Sequence, residues 1–153
     1  MAEVALDANV VVGFLDASDT LHERATALLR RIETRGDDVI LLDVCVGEAI
    51  SVLCRRARER RGGTSSVGLA KAPPDLRGAL ERVRQWTLAG DIVWVTAPTE
   101  RFAADVVNVV ESTRGRLNWN DALLVVLQRE GIVGDVASFD DGFEAIPTFR
   151  RIS

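Results

Sequence analysis

The alternation of two hydrophobic periods constrains this chain most. Residues 4–6, 39–42 and 92–95 are short runs of continuous apolar character, and a fourth run over residues 133–139 is interrupted by Gly134-Asp135. Residues 149–152 offer a short fifth. Between these runs the apolar residues recur at helical spacing. Leu21, Ala25, Leu28, Leu29 and Ile32 form one such set, Val46, Ala49, Ile50, Leu53, Cys54 and Ala57 a second, and Phe102, Ala103, Val106, Val109 and Val110 a third. Continuous apolarity fits a strand covered on both faces, and strands that alternate with helices give a parallel sheet. The pattern predicts a three-layer α/β/α fold with a mostly parallel sheet of four or five strands.

Punctuation sharpens this reading. A helix is expected from about Asp19, with Gly36 as its stop, and another after Asp43 reaching about Arg60. Gly, Ser and Pro between Gly62 and Pro74 mark a long loop, residues 75–88 read as a helix, and Pro98 suits the first turn of the next one. Asn120 is the expected cap of the following helix. Residues 122–127 are apolar on every side, so that helix belongs in the middle of the molecule. At 153 residues the chain has the size of one domain, expected to span 1–153.

Bulk properties exclude several classes. The composition, 47% hydrophobic and 27% charged, rules out disorder. No apolar run approaches the roughly 18 residues of a membrane span, and Met1-Ala2-Glu3 lacks a basic leader, so a cytoplasmic protein is expected. One histidine, His22, and two cysteines, Cys45 and Cys54, leave a zinc site short of ligands. The net charge of −4 removes the global positive field of a constitutive nucleic-acid binder. Gly63-Thr64-Ser65-Ser66-Val67-Gly68-Leu69 imitates a phosphate-binding loop, but Leu69 stands where the lysine is required.

Acidic residues mark the strand ends. Asp7 follows the first run, Asp121 enters the all-apolar helix, and Asp140-Asp141 follow the fourth run. In a parallel α/β sheet such junctions converge at the carboxyl ends of the strands. Carboxylates gathered there suit a hard divalent cation and phosphodiester hydrolysis. Each also has a plainer reading. Asp7 can cap the short helix after it, one of Asp140 and Asp141 can cap the turn toward Ile146, and Glu48 lies opposite the main stripe of its helix, facing either solvent or a cleft.

The order and spacing of these signals resemble those of PIN-domain ribonucleases, and more narrowly of VapC-like toxins of toxin-antitoxin pairs, over nearly the whole chain. The matching segments are Leu6-Asp7-Ala8-Asn9-Val10, Gly47-Glu48-Ala49, Asn120-Asp121-Ala122-Leu123-Leu124 and Ser138-Phe139-Asp140-Asp141-Gly142-Phe143. The resemblance implies that Asp7, Glu48, Asp121 and Asp140 surround Mg2+ or Mn2+, with Asn9 in support and Asp141 as a further neighbour of the metal. It is the resemblance that promotes Glu48. Similar proteins often carry aspartate, arginine, aspartate after the last core strand, where this chain has Asp140-Asp141-Gly142. The implied activity is endonucleolytic cleavage of RNA, the implied partner a cognate antitoxin, and the implied assembly a homodimer. A PIN-fold RNA-binding or regulatory module that does not cleave is the alternative. A haloacid-dehalogenase phosphatase needs an aspartate where Asn9 stands.

Smaller features remain open at this level. Arg55, Arg56, Arg58, Arg60 and Arg61 form a basic segment that either holds RNA phosphates or is a solvated helix face. Asn118 can contact substrate or water. His22 fits a helix start. Trp86, Trp94 and Trp119 read as core or rim packing, with Trp119 beside Asp121.

Overall fold

The computed structural model describes residues 2–60 and 74–153. The imitation phosphate loop at residues 63–69, Arg61 and the loop expected before residue 74 lie outside the described residues. The elements in chain order are β1 (Glu3–Leu6), α1 (Ala8–Leu15), α2 (His22–Thr34), β2 (Asp38–Leu42), α3 (Asp43–Arg60), α4 (Pro74–Ala89), β3 (Ile92–Val93), α5 (Thr96–Ser112), α6 (Trp119–Arg129), β4 (Asp135–Ala137), a 3-10 turn (Asp141–Ala145) and β5 (Arg151–Ile152).

The five strands form one parallel sheet in the order β3-β2-β1-β4-β5. Strand alternation divides the interior into two cores. Ala5, Leu42 and Val136 pack with α5 and α6, while Val4, Leu6, Leu41 and Ala137 pack with α1, α2, α3 and α4. This is the expected three-layer α/β/α fold.

Every residue of α6 from Asp121 to Gln128 is buried, as the all-round apolarity predicts. Leu123, Leu124 and Leu127 alone supply roughly 5–9 kcal/mol of transfer free energy as an upper bound. That burial fixes the helix and, with it, the acid at its first turn.

Strand lengths depart from the sequence pattern. β3 stops at Val93, because the Val95 amide donates to Asp43 Oδ1 (2.9 Å) and the chain turns into α5. Trp94 is therefore 70% exposed, not packed in the core or rim. β4 keeps only three residues of the apolar run. Gly134 lies so close to the Glu3 carbonyl that any Cβ there would collide with it, which is why a glycine interrupts the run.

The chain winds outward from β1 through β2 to β3, then crosses back to place β4 on the other side of β1. The carboxyl ends of β1 and β4 thus flank the point where strand order reverses, the place where parallel sheets open a crevice.

Candidate active site

Asp7 leaves β1 at this crevice with only 4% of its surface exposed. It caps α1, its Oδ1 accepting from the Ala8 amide (2.6 Å). Its Oδ2 accepts from Asn9 Nδ2 and from the Ser138 hydroxyl, both at 2.6 Å. Ser138, fully buried at the end of β4, also accepts from Asn9 Nδ2 (3.1 Å) and from the Asp140 amide (3.0 Å). Asn9 Oδ1 accepts from the Phe139 amide (3.1 Å). One hydroxyl and one carboxamide thus stitch the ends of β1 and β4 together across the crevice.

Asp121 approaches from α6. The helix is capped by Asn118 in a reciprocal box: Asn118 Oδ1 accepts from the Asp121 amide and Asp121 Oδ2 from the Asn118 amide, each at 3.0 Å. Asn120, expected as the cap, instead donates from Nδ2 to Glu48 Oε2 (2.7 Å). The correction follows from the helix starting at Trp119, which puts Asn120 in its first turn with its side chain free to reach α3. Glu48 is half-buried and turns into the cleft, not into open solvent.

Asp140 caps the 3-10 turn, accepting from the Gly142 amide at Oδ1 (2.6 Å). A Cβ on Gly142 would lie 2.9 Å from that oxygen, so glycine suits the tight turn. Asp141 points away: its side chain is 78% exposed and pairs with Arg151 (3.0 Å). Asp7, Glu48, Asp121 and Asp140 line one cleft of about 260 Å³ with Asn9, Asn118, Asp19 and Arg56, and Asp141 does not line it.

The PIN domain matches residues 4–148, nearly the whole chain. The chain belongs to the PIN-domain family. Among solved structures, this PIN domain is similar to FitAcB from Neisseria gonorrhoeae, with a TM-score of 0.62 and 20% identity over 98% of this chain and 96% of that one. It is also similar to FitAB bound to an IR36 DNA fragment, with a TM-score of 0.60 and 21% identity over 97% and 93%. At that identity the likeness concerns the fold. No curated protein matches the chain with significance.

Burial and crowding govern the electrostatics of the PIN-domain cleft. Burial pushes the Asp7 carboxyl up to about 6 against the hydrogen bonds from Ser138 and Ala8, and the charges of Glu48 and Asp140 add to the rise. Burial likewise raises Asp121 to about 7, opposed by the Asn118 amide and assisted by Asp7, Asp140 and Glu48. These groups repel one another without a cation between them.

Among the described residues, no group of three or more His, Cys, Asp or Glu side chains is already arranged as a metal site. The donor chemistry nevertheless fits a hard cation. Glu48, Asp121 and Asp140 each commit one oxygen to a hydrogen bond and keep the other without one among the described residues. No histidine or cysteine is among the described residues that line the cleft. His22 begins α2 with Nδ1 bonded to the Gly13 carbonyl (2.7 Å), and Cys45 is a buried thiol whose ionisation is strongly opposed by burial. An oxygen-only set of this kind suits Mg2+ or Mn2+.

The sequence pattern missed Ser138 as an organising residue. Its only local signal is a hydroxyl at the carboxyl end of an apolar run. Reading the basic segment as one unit also missed its division. Arg60 pairs with Asp16 and Asp75 (both 2.7 Å), Arg56 with Asp19 and Asp16, and Arg55 lies 4.0 Å from Glu59. Trp86 stacks on Phe14, and Trp119 is exposed at the start of α6.

Proposed function

We propose that this PIN domain is a metal-dependent endoribonuclease, and that it is the VapC-like toxin of a toxin-antitoxin pair. The observation that carries the reading is the convergence of Asp7, Glu48, Asp121 and Asp140 from four separate elements on one cleft. Two of them are buried and hold their protons too strongly for carboxylates at rest in water. In this reading the four acids hold Mg2+ or Mn2+. When bound, the ion lowers the pKa of water and neutralises charge on the phosphodiester.

The chain's own residues do the positioning. Ser138 and Asn9 fix Oδ2 of Asp7 in direction, and the Ala8 amide fixes Oδ1. Asn118 orients Asp121, Asn120 holds Glu48 toward the cleft, and the Gly142 amide turns Asp140 inward. Arg151 donates to the Asp140 carbonyl (2.7 Å) and steadies that loop from β5. Each acid is thus pre-oriented, so little ordering is left for the reaction itself.

The toxin assignment supplies a partner. An antitoxin segment that orders on binding and delivers a basic side chain to the crowded acids would relieve their repulsion and block the cleft. A homodimer accompanies the reading, and exposed Leu88, Val93, Trp94 and Val107 offer apolar surface for assembly. No described helix is long and apolar enough to cross a membrane.

The test is cleavage of single-stranded RNA by the purified chain. Activity with Mg2+ or Mn2+ that disappears in excess chelator is expected, and full cleavage in chelator would overturn the mechanism. Binding of RNA without cleavage under any divalent cation would favour the non-cleaving module, to which the lack of a pre-assembled metal cluster among the described residues lends some support. Expression without a cognate antitoxin should arrest growth in the native host, and harmless expression would remove the toxin role alone.

A further inference from the structure

A cleft walled by carboxylates has to admit a polyanion, and the cleft contains one cation among its described lining residues, Arg56. Glu48, Val52 and Arg56 fall at i, i+4 and i+8 on α3, and all three line the cleft. Eight residues of helix separate Glu48 from Arg56 by about 12 Å along the axis. Arg56 therefore stands beside the acids without sharing the position of whatever they hold.

Its guanidinium is docked in a particular way. Nη1 donates to Asp19 Oδ2 and lies 3.4 Å from Asp16 Oδ2. Both carboxylates are buried and fixed by their own turn, Asp19 through the Leu21 amide (2.6 Å) and Asp16 through the Ser18 hydroxyl (2.7 Å) and amide (3.1 Å). Among the described residues Nε and Nη2 of Arg56 have no hydrogen-bond acceptor, although the side chain is 35% exposed. A guanidinium carries five N–H donors in a rigid fork, and the free edge matches a phosphate bidentately. Arg60 differs. Its Nη1 and Nη2 are both taken, by Asp75 and Asp16, and it lines a separate cavity. Arg24 stacks on the Phe139 ring (4.4 Å) and is absent from the cleft lining.

We propose that Arg56 is a phosphate-binding residue of the cleft, held in orientation by Asp19 and Asp16, and that it grips a phosphate of a single-stranded nucleic acid adjacent to the one at the acids. The proposal rests on the nuclease reading for the second phosphate position, but the binding itself is measurable without cleavage. A purely structural Arg56 would only tie α3 to the turn between α1 and α2.

The experiment uses the full chain carrying Asp121→Asn, with a fluorescein-labelled single-stranded oligoribonucleotide of mixed sequence, titrated in Mg2+ at several salt concentrations. Adding Arg56→Gln should weaken binding roughly ten-fold and flatten the slope of log K against log salt by about 0.7, the loss of one phosphate contact on a single strand. Arg56→Lys should keep the slope, since the charge remains. An unchanged slope in Arg56→Gln, with or without a lower melting temperature, would assign the residue to the structural tie and overturn the proposal. No saturable binding by the parent Asp121→Asn chain would overturn it as well. Failure of the chain with native Asp121 to cut RNA would instead count against the nuclease reading and leave the Arg56 slopes interpretable.

Discussion

Two groups of buried carboxylates stand at the two ends of α1, the one at its start joined by Asp121 of α6, and they have opposite electrostatics. Asp16, 6% exposed at the end of α1, is penalised by burial, yet hydrogen bonds from Ser18 and Arg60 outweigh that penalty and hold it below the usual carboxylate range. Asp7 and Asp121, 4% and 7% exposed, are penalised in the same way but have other carboxylates as neighbours, and they stand at about 6 and 7. Surface exposure is nearly the same in both places, but Asp7 and Asp121 lie deeper beneath neighbouring atoms, and that burial is the main cause of their rise. The partner differs too: arginine in one group, like charge, which adds to the rise, in the other. A buried acid paired with arginine is a tie between elements, whereas buried acids facing one another make a site that gains from a cation.

The largest expected effect separates the two groups. Asp7→Asn or Asp121→Asn should lower RNA cleavage by two to three orders of magnitude or more, with the fold intact by circular dichroism, while Asp16→Asn should leave cleavage within a few-fold. Stability should respond with opposite signs in metal-free protein. For Asp7 and Asp121 the folded pKa lies above the unfolded value near 3.9, so the folded state binds the extra protons. Their penalty is absent below about pH 4 and grows as pH rises through 6 and 7. Asp121→Asn should therefore melt above the unsubstituted protein at pH 8, and the difference should shrink toward pH 4. Asp16 is depressed, so its contribution is present above the unfolded pKa and fades as pH falls through the folded one. Asp16→Asn should melt roughly 2–6 °C lower at pH 8, allowing for the partial exposure of its arginines. Melts that fall together in both variants would show that pairing, not site formation, explains both groups.

A middle-sized effect tests the turn after β4. Asp140 faces the cleft and Asp141 faces Arg151. Asp140→Asn should cut the rate at limiting metal by at least about ten-fold, and Asp141→Asn should change it little. The reverse order would show that the turn rearranges when metal binds.

The smallest effect distinguishes the two asparagines of α6. Asn118→Ala removes the cap and should cost about 1 kcal/mol of stability, read as a drop of about 2–4 °C in Tm. Asn120→Ala leaves the cap in place and frees Glu48, so kcat should fall a few-fold with Tm unchanged. Equal losses of Tm in both variants would return Asn120 to a structural role.

How far the sequence could be read varied with the range of the interaction. The layers, the buried α6 and the parallel sheet were legible because apolar periodicity is local, repeating every two or 3.6 residues. The end of β3 was not, since the Asp43 carboxylate that captures the Val95 amide lies 52 residues away. The cleft divides in the same way. Asp7, Asp121 and Asp140 could be suspected from their positions at the ends of apolar segments. The cleft-facing direction of Glu48 was implied by resemblance alone, because helical phase could not reveal a donor on α6, 72 residues away. Ser138 stayed unseen because its bond to Asp7 spans 131 residues.

By itself, then, the amino-acid order determined which segments become strands and helices and placed acids at three junctions between them. Which acids stayed unpaired was decided only in three dimensions. The crossover that sets β4 beside β1 brought Asp7 and Asp140 to one crevice, and the packing of α3 against α1 gave Asp16 and Asp19 their arginines. Charge pairing depends on distance in space, and sequence separation carries almost none of that information.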